Sequence, residues 1–367
     1  MMGLLNLLIG SNHTMKILII ENGYRDLVNS RFSFGRYLER EGNSVIYACP
    51  DPEENSGVLR LNVSRNKTSF FLFIKSVIKL MRIEKNNEVD TVLSFRLTSN
   101  LLNYSSSFFG EKRKRIGVIT GLGIAFVSNS RKNKILQSII TFFYRLASKR
   151  LIIIAQNPDD LLDLGISNGH VILGSGISDA VSQDLLAKDH QTLKLLFVGR
   201  LLKSKGIEAA IDVIKELQLI NNKIKLIIAG DTDPNNPDSI SDDDLEGIKK
   251  SQGFEYLGYV ENMDGVYSRS DILLFPSDYR EGVPRSIIES LSHGLTIITK
   301  DMPGCRETVL NNGIITKNNF TKEAVKYIET LTKKEIELNK QESIKLFNTR
   351  FSDKVIFPKY SKIILEK

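Results

Sequence analysis

The chain has 367 residues, 41% of them hydrophobic and 25% charged, with a formal net charge of +7. That length exceeds a single domain of about 100 to 200 residues, and the composition excludes a disordered or fibrous protein. Only two cysteines are present, Cys49 and Cys305, in separate apolar segments, so a disulfide framework is excluded and a reducing compartment is expected.

The opening MMGLLNLLIG lacks a basic flank and is too short to span a bilayer, and the longest apolar run, SFFLFIKSVIKLM, is interrupted by Lys75 and Lys79. No exported or membrane-spanning segment is expected, and residues 1–14, ahead of Met15 and the strand signal KILII, read either as a poorly ordered leader or as an artefact of start-codon choice. From Lys16 onward, apolar β-rich runs alternate with helical patterns. KILII, SVIYAC, TVLSF, RIGVIT, LIIIAQ and VILGSG are separated by segments such as 32–42, 68–83 and 131–148. Apolar strands joined by helices predict a parallel sheet covered on both faces.

The polar passage SGISDAVSQDLLAKDHQT then carries few strand signals, which puts a domain boundary near residue 185. A second series follows: LKLLFVG, IKLIIAG, FEYLGYV, DILLFP and LTIITK. Two doubly wound α/β domains are therefore predicted, 1–184 and 185–350. The tail 351–367, FSDKVIFPKYSKIILEK, reads as a closing helix after a break at Pro358; periodicity alone leaves open whether it returns to the first domain. In such sheets ligands bind beyond the carboxyl ends of the strands, and a cleft between two of them is a favoured site.

Charge is unevenly spread. Residues 1–150 hold 23 Lys and Arg against 11 Asp and Glu, an excess of +12, while the remainder is −5. Between Lys112 and Arg150 ten basic residues and no acidic one are interleaved with ILQSIITFFYRLA. Such a segment is either a solvated helix face or a surface for an anionic membrane or a phosphate-bearing partner.

Three motifs carry chemistry. In FVGRLLKSKGI a strand ends at Gly199, Arg200 and Lys205 follow, and Gly206 opens a helix. Two cations at a strand-to-helix turn suit a diphosphate, helped by free helix N–H groups, although cations at such turns are also ordinary solvated residues. In LIIAGDTD, Asp231 and Asp233 could hold a divalent metal, but they open a long acidic loop in which short acids are routine turn formers, and the structural reading is preferred.

The third motif is LLFPSDYREGVPRSIIESLSHGLTIITKDMPGCRETV. Pro284 suits the first helical position and Gly294 the stop; Ile287, Ile288 and Leu291 make a buried stripe, with Arg285 and Glu289 on another face. Glu281 precedes the helix, where a carboxylate can cap it or favour its dipole. The histidines, His13, His170, His190 and His293, are not paired at ligand spacing, and Ser175 lies in no G-x-S-x-G elbow. Zinc, thiol-triad and serine-hydrolase chemistries find no support.

Together, GRLLKSKG, AGD, FEYLGYVENM and SDYREGVPRSIIESLSHGLTIITKDMPGCRETV resemble, in order and spacing, the carboxyl-terminal domain of the family 4 retaining glycosyltransferases of the GT-B fold. The resemblance covers most of residues 193–310. VLSFRLTSN, GVITGLGIAF and QNPDD look like the bacterial subgroup that builds polysaccharide repeat units on a polyprenyl-diphosphate carrier.

The resemblance implies an α/β GT-B fold, two doubly wound Rossmann-like domains facing across a cleft. It implies that Arg200 and Lys205, beside Gly199, grip the donor diphosphate, that Glu289 binds the ribose hydroxyls, and that Glu281 faces the donor sugar at the reacting centre. Tyr259 and Val260 would lie along the base. The segment Gly282, Val283, Pro284, Arg285 and Ser286 would bring backbone N–H groups near the phosphates. The family pattern implies no metal and no cofactor, the UDP-sugar being a co-substrate. Many relatives carry a first-domain histidine near the acceptor and a Gly-Gly pair after the first strand. Here ENGYRDLVNS follows that strand and TGLG stands where the histidine would be, so Asn22, Gly23, Gly121 and Gly123 are acceptor-side candidates by loop position.

The expected protein is a retaining glycosyltransferase, peripheral on the cytoplasmic face of the bacterial plasma membrane. It would move Gal, GalNAc, GlcNAc or Glc from a UDP-sugar to a polyprenyl-diphosphate-linked saccharide of O-antigen or capsule. Its basic first domain would meet the anionic membrane through Lys112–Arg115 and residues 131–150. A UDP-sugar epimerase of similar architecture is the alternative, against which GRLLKSKG and the spacing of Glu281 and Glu289 argue. A nucleic-acid partner is not expected: the +12 excess suggests one, but no stacking motif or known module accompanies it.

Overall fold

The computed structural model describes residues 14–63, 69–127, 130–178 and 192–366. The leader, Thr14 excepted, and the boundary near residue 185 lie outside the described residues. In the first half, β1 (Lys16–Ile20), β2 (Ser44–Cys49), β3 (Leu59–Arg60), β4 (Thr91–Phe95), β5 (Lys114–Ile119), β6 (Ile152–Ala155) and β7 (His170–Val171) form one parallel sheet. Its order is β3-β2-β1-β4-β5-β6-β7. The helices between them are α1 (Tyr24–Ser30), α2 (Phe32–Arg40), α3 (Phe70–Asn86), α4 (Arg96–Ser106), α5 (Arg131–Ala147) and α6 (Pro158–Leu164). Alternation within KILII decides the layers. Ile17 and Ile19 join Phe34 and Leu38 of α2 on one side, while Leu18 and Ile20 join Val77 and Leu80 of α3 on the other.

The second sheet comprises β8 (Lys194–Val198), β9 (Lys225–Ala229), β10 (Phe254–Gly258), β11 (Ile272–Phe275), β12 (Thr296–Lys300) and β13 (Gly313–Thr316), in the order β10-β9-β8-β11-β12-β13. All its pairs are parallel. It carries α7 (Ile207–Ile220), α8 (Asp242–Lys250), α9 (Asp264–Ser268), α10 (Arg285–Ser292), α11 (Phe320–Thr330) and α12 (Lys333–Leu346). Each sheet reverses direction beside its first strand, β1 or β8, which opens a crevice at the carboxyl ends there. Gly206 starts α7 with φ +80°, and a Cβ there would lie 2.4 Å from the Pro276 carbonyl oxygen. Glycine is thus needed for both the backbone hand and the close approach of two loops.

Three local readings change. VILGSG forms only the two-residue β7, because Gly174 and Gly176 turn the chain with positive φ. GIIT, too short to carry a period, is the edge strand β13. The tail helix does not break at Pro358: α13 (Asp353–Leu365) runs through it. A proline inside a helix costs about 3 kcal/mol. Ile356, Phe357, Tyr360 and Ile364 of α13 are buried, at roughly 1.5 to 3 kcal/mol each, which outweighs that cost. These four residues belong to the first domain's core, beside Phe34 and Ile172, and the Tyr360 hydroxyl donates to the Gly174 carbonyl at 3.2 Å. The chain therefore ends by crossing back to the domain it began with.

Lys112–Arg115 is not the free basic surface expected of it. Arg115 is buried and donates to Glu84 of α3 at 2.7 Å, Arg113 also faces Glu84, and Lys114 donates to the Glu366 carbonyl. A carboxylate buried under the helices needs cationic partners, and this segment supplies them.

The two domains are joined at the loop before α10. The Gly282 N–H donates to the Thr120 carbonyl at 2.9 Å, and the Gly123 N–H to the Arg280 carbonyl at 2.9 Å. The buried Arg280 guanidinium crosses to Asp160 at 3.2 Å and pairs with Asp163. Burial pushes the Asp160 carboxyl up to about 7, with Arg280 pulling the other way. Because this folded-state value lies above the ordinary carboxylate range, native Asp160 keeps a proton that the unfolded chain has released. Its contribution to stability is complete below about pH 4 and is lost as pH rises through about 7. Wild-type Tm should therefore fall relative to that of Asp160→Asn as pH rises from about 5 to about 8; parallel curves would refute the assignment. Phe357→Ala should cost about 3 to 5 kcal/mol, read from the denaturant midpoint.

Candidate active site

A cavity of about 940 Å³ lies between the two sheets, at the carboxyl ends of their strands. Gly199, at the end of β8, and Arg200 form part of its wall, and the loop after β9 forms another. Arg200 is paired with Asp233 at 3.0 Å, while Asp231 accepts from the Tyr256 hydroxyl at 2.7 Å. Both acids of the Asp231-Thr232-Asp233 triplet thus have protein partners. Tyr259 and Val260 follow β10 along the cavity, and the guanidinium of Arg25 on α1 lies 4.4 Å over the Tyr259 ring. This cation–π contact reaches across from the first domain.

α10 brings Arg285, Ser286 and Glu289 to the same cavity. Its N-cap is Pro284, so the helix begins at Arg285, one residue after the start expected from sequence, and no side chain caps it. The Ile287 N–H turns back to the Pro284 carbonyl at 3.1 Å, which leaves the N–H groups of Arg285 and Ser286 without an intrahelical acceptor, and the helix dipole makes that end attractive to an anion. Glu289 is held at both oxygens, by the Tyr267 hydroxyl at 2.8 Å and by Arg285 Nε at 2.6 Å. Tyr267 is buried, and burial followed by the Glu289 charge raises its pKa well above the usual value, so it remains a donor. The His293 ring sits 5.2 Å from that of Tyr267, with Nδ1 2.8 Å from the Glu289 carbonyl oxygen.

Lys205 and Glu281 stand beside this cavity, ion-paired with each other, and Lys205 Nζ lies 4.8 Å from the centre of the Tyr279 ring. The Glu281 carboxylate goes to Lys205 rather than to the start of α10, so it does not act as a helix cap. Of the segment that follows, Gly282, Val283 and Pro284 are buried, and the Gly282 N–H is given to Thr120. Only Arg285 and Ser286 of that segment line the cavity.

The first-domain candidates separate into two groups. Gly121, at φ +104°, is pressed against Glu281: a Cβ there would lie 2.4 Å from the Glu281 carbonyl carbon. Gly123 adjoins it through its bond to Arg280, so the TGLG turn lies beside Glu281. Asn22 and Gly23 lie at the end of β1. The Asn22 amide oxygen accepts from both Ser99 N–H and Ser99 hydroxyl, and Gly23 starts α1. Their contacts tie β1 to α4, not to the Glu281 loop.

Several residues of the site escape sequence reasoning. Arg25 and Asn29 come from α1, whose only buried residue is Leu27, so no periodicity marks it; Arg285 donates to the Asn29 carbonyl. Gln156 and Arg31 both donate to the Ser175 hydroxyl at 3.0 Å, and Arg31 also holds the fully buried Glu21 at 3.0 Å. Arg280 is adjacent to Glu281 in sequence, and that adjacency was the available signal. Chemically, the cavity combines an open helix end, the cations Arg200 and Arg285, and an oriented carboxylate, with a second ion pair next to it. It is built for an anion linked to a hydroxyl-bearing group.

Residues 181–345 match the family described as glycosyl transferases group 1. The N,N'-diacetylbacillosaminyl-diphospho-undecaprenol alpha-1,3-N-acetylgalactosaminyltransferase of Campylobacter jejuni is 23% identical over 95% of this chain and 98% of its own length. The capsular polysaccharide biosynthesis glycosyltransferase CapM of Staphylococcus aureus is 22% identical over 82% of this chain and 78% of its own. Among solved structures, sucrose-phosphate synthase from Thermosynechococcus elongatus matches with a TM-score of 0.78 at 15% identity, covering 95% of this chain and 98% of that one. HepE of Anabaena in complex with UDP matches at 0.74 and 15%, covering 95% and 99%. With two parallel doubly wound sheets facing across a cleft, the chain has the GT-B fold, and residues 181–345 in its second half carry a glycosyl transferases group 1 domain.

Proposed function

We propose that the enzyme transfers a hexose or N-acetylhexosamine, with retention of configuration, from a UDP-sugar to a polyprenyl-diphosphate-linked saccharide of O-antigen or capsule. It would work at the cytoplasmic face of the membrane. The observation that carries this reading is the convergence of Arg200, the uncapped start of α10 and the doubly held Glu289 on one cavity, with the Lys205–Glu281 pair beside it. The C. jejuni relative, whose name specifies transfer to a diphospho-undecaprenol-linked sugar, supports the acceptor class, and the UDP complex of HepE supports the donor class.

In this reading Glu289 takes the ribose hydroxyls, and its fixed orientation lowers the entropy lost on binding. Arg200, Lys205 and the α10 dipole balance the charge of the leaving diphosphate with no metal ion required. The bond from the anomeric carbon to the phosphate oxygen breaks, and UDP leaves with its electron pair. The acceptor hydroxyl attacks the same face, and its proton passes to the departing phosphate oxygen. Glu281, held by Lys205 and pressed on Gly121, faces the sugar from a position the domain junction fixes.

A donor screen across UDP- and GDP-sugars, read as nucleotide release, should single out a UDP-sugar. Glu289→Ala should raise donor KM about tenfold or more, and Arg200→Ala and Lys205→Ala should each lower kcat about 100- to 1,000-fold. Full activity in all three variants would overturn the site. A free sugar epimer released from donor alone would identify an epimerase instead.

A further inference from the structure

Residues 55–158 contain 18 Lys and Arg but only four acids, Glu84, Glu88, Asp90 and Glu111. Each acid is engaged. Glu84 is buried under Arg115, Glu88 pairs with Lys16, Asp90 accepts the Lys16 N–H, and Glu111 pairs with Arg113. The outer faces of α3, α4 and α5 consequently carry no acidic side chain. These helices share one side of the first sheet, because consecutive right-handed crossovers running in one direction stack there. The inner residues of α3 meet Leu18 and Ile20, and those of α5 meet Ile119 and Ile153.

Their outer residues are apolar as well as basic. Phe70 and Phe71 of α3 are 74% and 76% exposed, with Ile74 and Ile78 continuing the stripe. On α5, Ile135, Ile139 and Phe142, at i, i+4 and i+7, are each at least 60% exposed, and Leu97 at the start of α4 is exposed between the two helices. Lys75 and Arg82 flank the first stripe, and Arg131, Lys132 and Lys134 the second; all five are exposed. Scattered surface apolar residues are ordinary, but two neighbouring stripes, each rimmed by cations, form a patch. An apolar face with Lys and Arg at its rim is the build of a helix lying in a lipid interface.

We propose that the outer faces of α3 and α5 form one docking surface for an anionic phospholipid membrane. Charge decides the occupant: the same basic face on a second copy would repel it, whereas anionic headgroups complement it. Phe70, Phe71 and Ile74 of α3 and Ile135 of α5 sit in the amino-terminal halves of their helices, which run back from the carboxyl edge of the sheet, and Phe142 continues the α5 stripe past the middle of that helix. The bilayer would therefore border the mouth of the cleft, where a lipid-linked acceptor must arrive. This goes beyond the transfer reading and stands apart from it, since vesicle binding needs neither donor nor acceptor.

The full chain should co-sediment with vesicles of phosphatidylcholine and phosphatidylglycerol, far less with phosphatidylcholine alone, and less as salt rises. Two exposed-face variants separate the two contributions: the triple Phe71→Ser, Ile139→Ser, Phe142→Ser and the triple Lys75→Glu, Lys132→Glu, Lys134→Glu. Each should lose about tenfold or more of vesicle partitioning while keeping wild-type Tm and nucleotide binding. Absent wild-type binding, equal binding to both vesicle kinds, or either variant binding as wild type would overturn the proposal. So would a solution dimer that the Ser triple disperses, which would assign the face to a second copy.

Discussion

The backbone junction at Arg280–Gly282 is the constraint on which the rest of the molecule depends. Two sheets that fold around separate cores must still present one site, and here a single loop of the second domain is bonded to the turn after β5 of the first. Gly282 donates to Thr120 and Gly123 donates to Arg280, so the two domains touch at main-chain distance. Arg280 adds a buried contact with Asp160, which becomes ionic as that carboxyl loses its proton. Losing one partner of such a buried pair would strand the other's charge. Glu281 lies between these bonds, and its position is set by both domains at once.

The same junction explains why the site is polarised. On the second-domain side, the end of β8, the loop after β9 and the start of α10 collect cations and an open helix terminus at the point where strand order reverses. On the first-domain side, the residues around β1 and β6 are spent on one another: Glu21 on Arg31, and Arg31 and Gln156 on Ser175. That network makes a rigid lip rather than a second anion site. From this side α1, through Arg25 and Asn29, reaches over the cavity.

The return of α13 to the first core complements this arrangement. It fills the side of the first sheet opposite α3 and α5, with Phe357 and Tyr360 packed around Phe34. Both faces of that sheet are thereby covered, which a parallel sheet requires. The helices on the other face can then leave their outer stripes unburied without exposing the core.

Much of the fold was legible in the sequence because the parallel strands are buried on both faces and read as continuous apolar runs, as KILII and DILLFP do. Two edge strands were not, since GIIT and the paired Leu59–Arg60 are too short for any period. Of the candidate site, Arg200, Lys205, Glu281 and Glu289 were legible because they sit at fixed offsets from strand ends and a helix start, and the fold brings Arg200 and Glu289 to one cavity with the Lys205–Glu281 pair beside it. What only the tertiary structure decided is which charges are free. Arg115 and Arg113 count toward the basic excess in the sequence, yet Glu84, some thirty residues earlier, claims them. Phe71 belongs to the longest apolar run, yet it faces outward. Sequence order sets each residue's local period, but pairing and exposure depend on neighbours brought together by the crossovers, and no spacing along the chain encodes that distance.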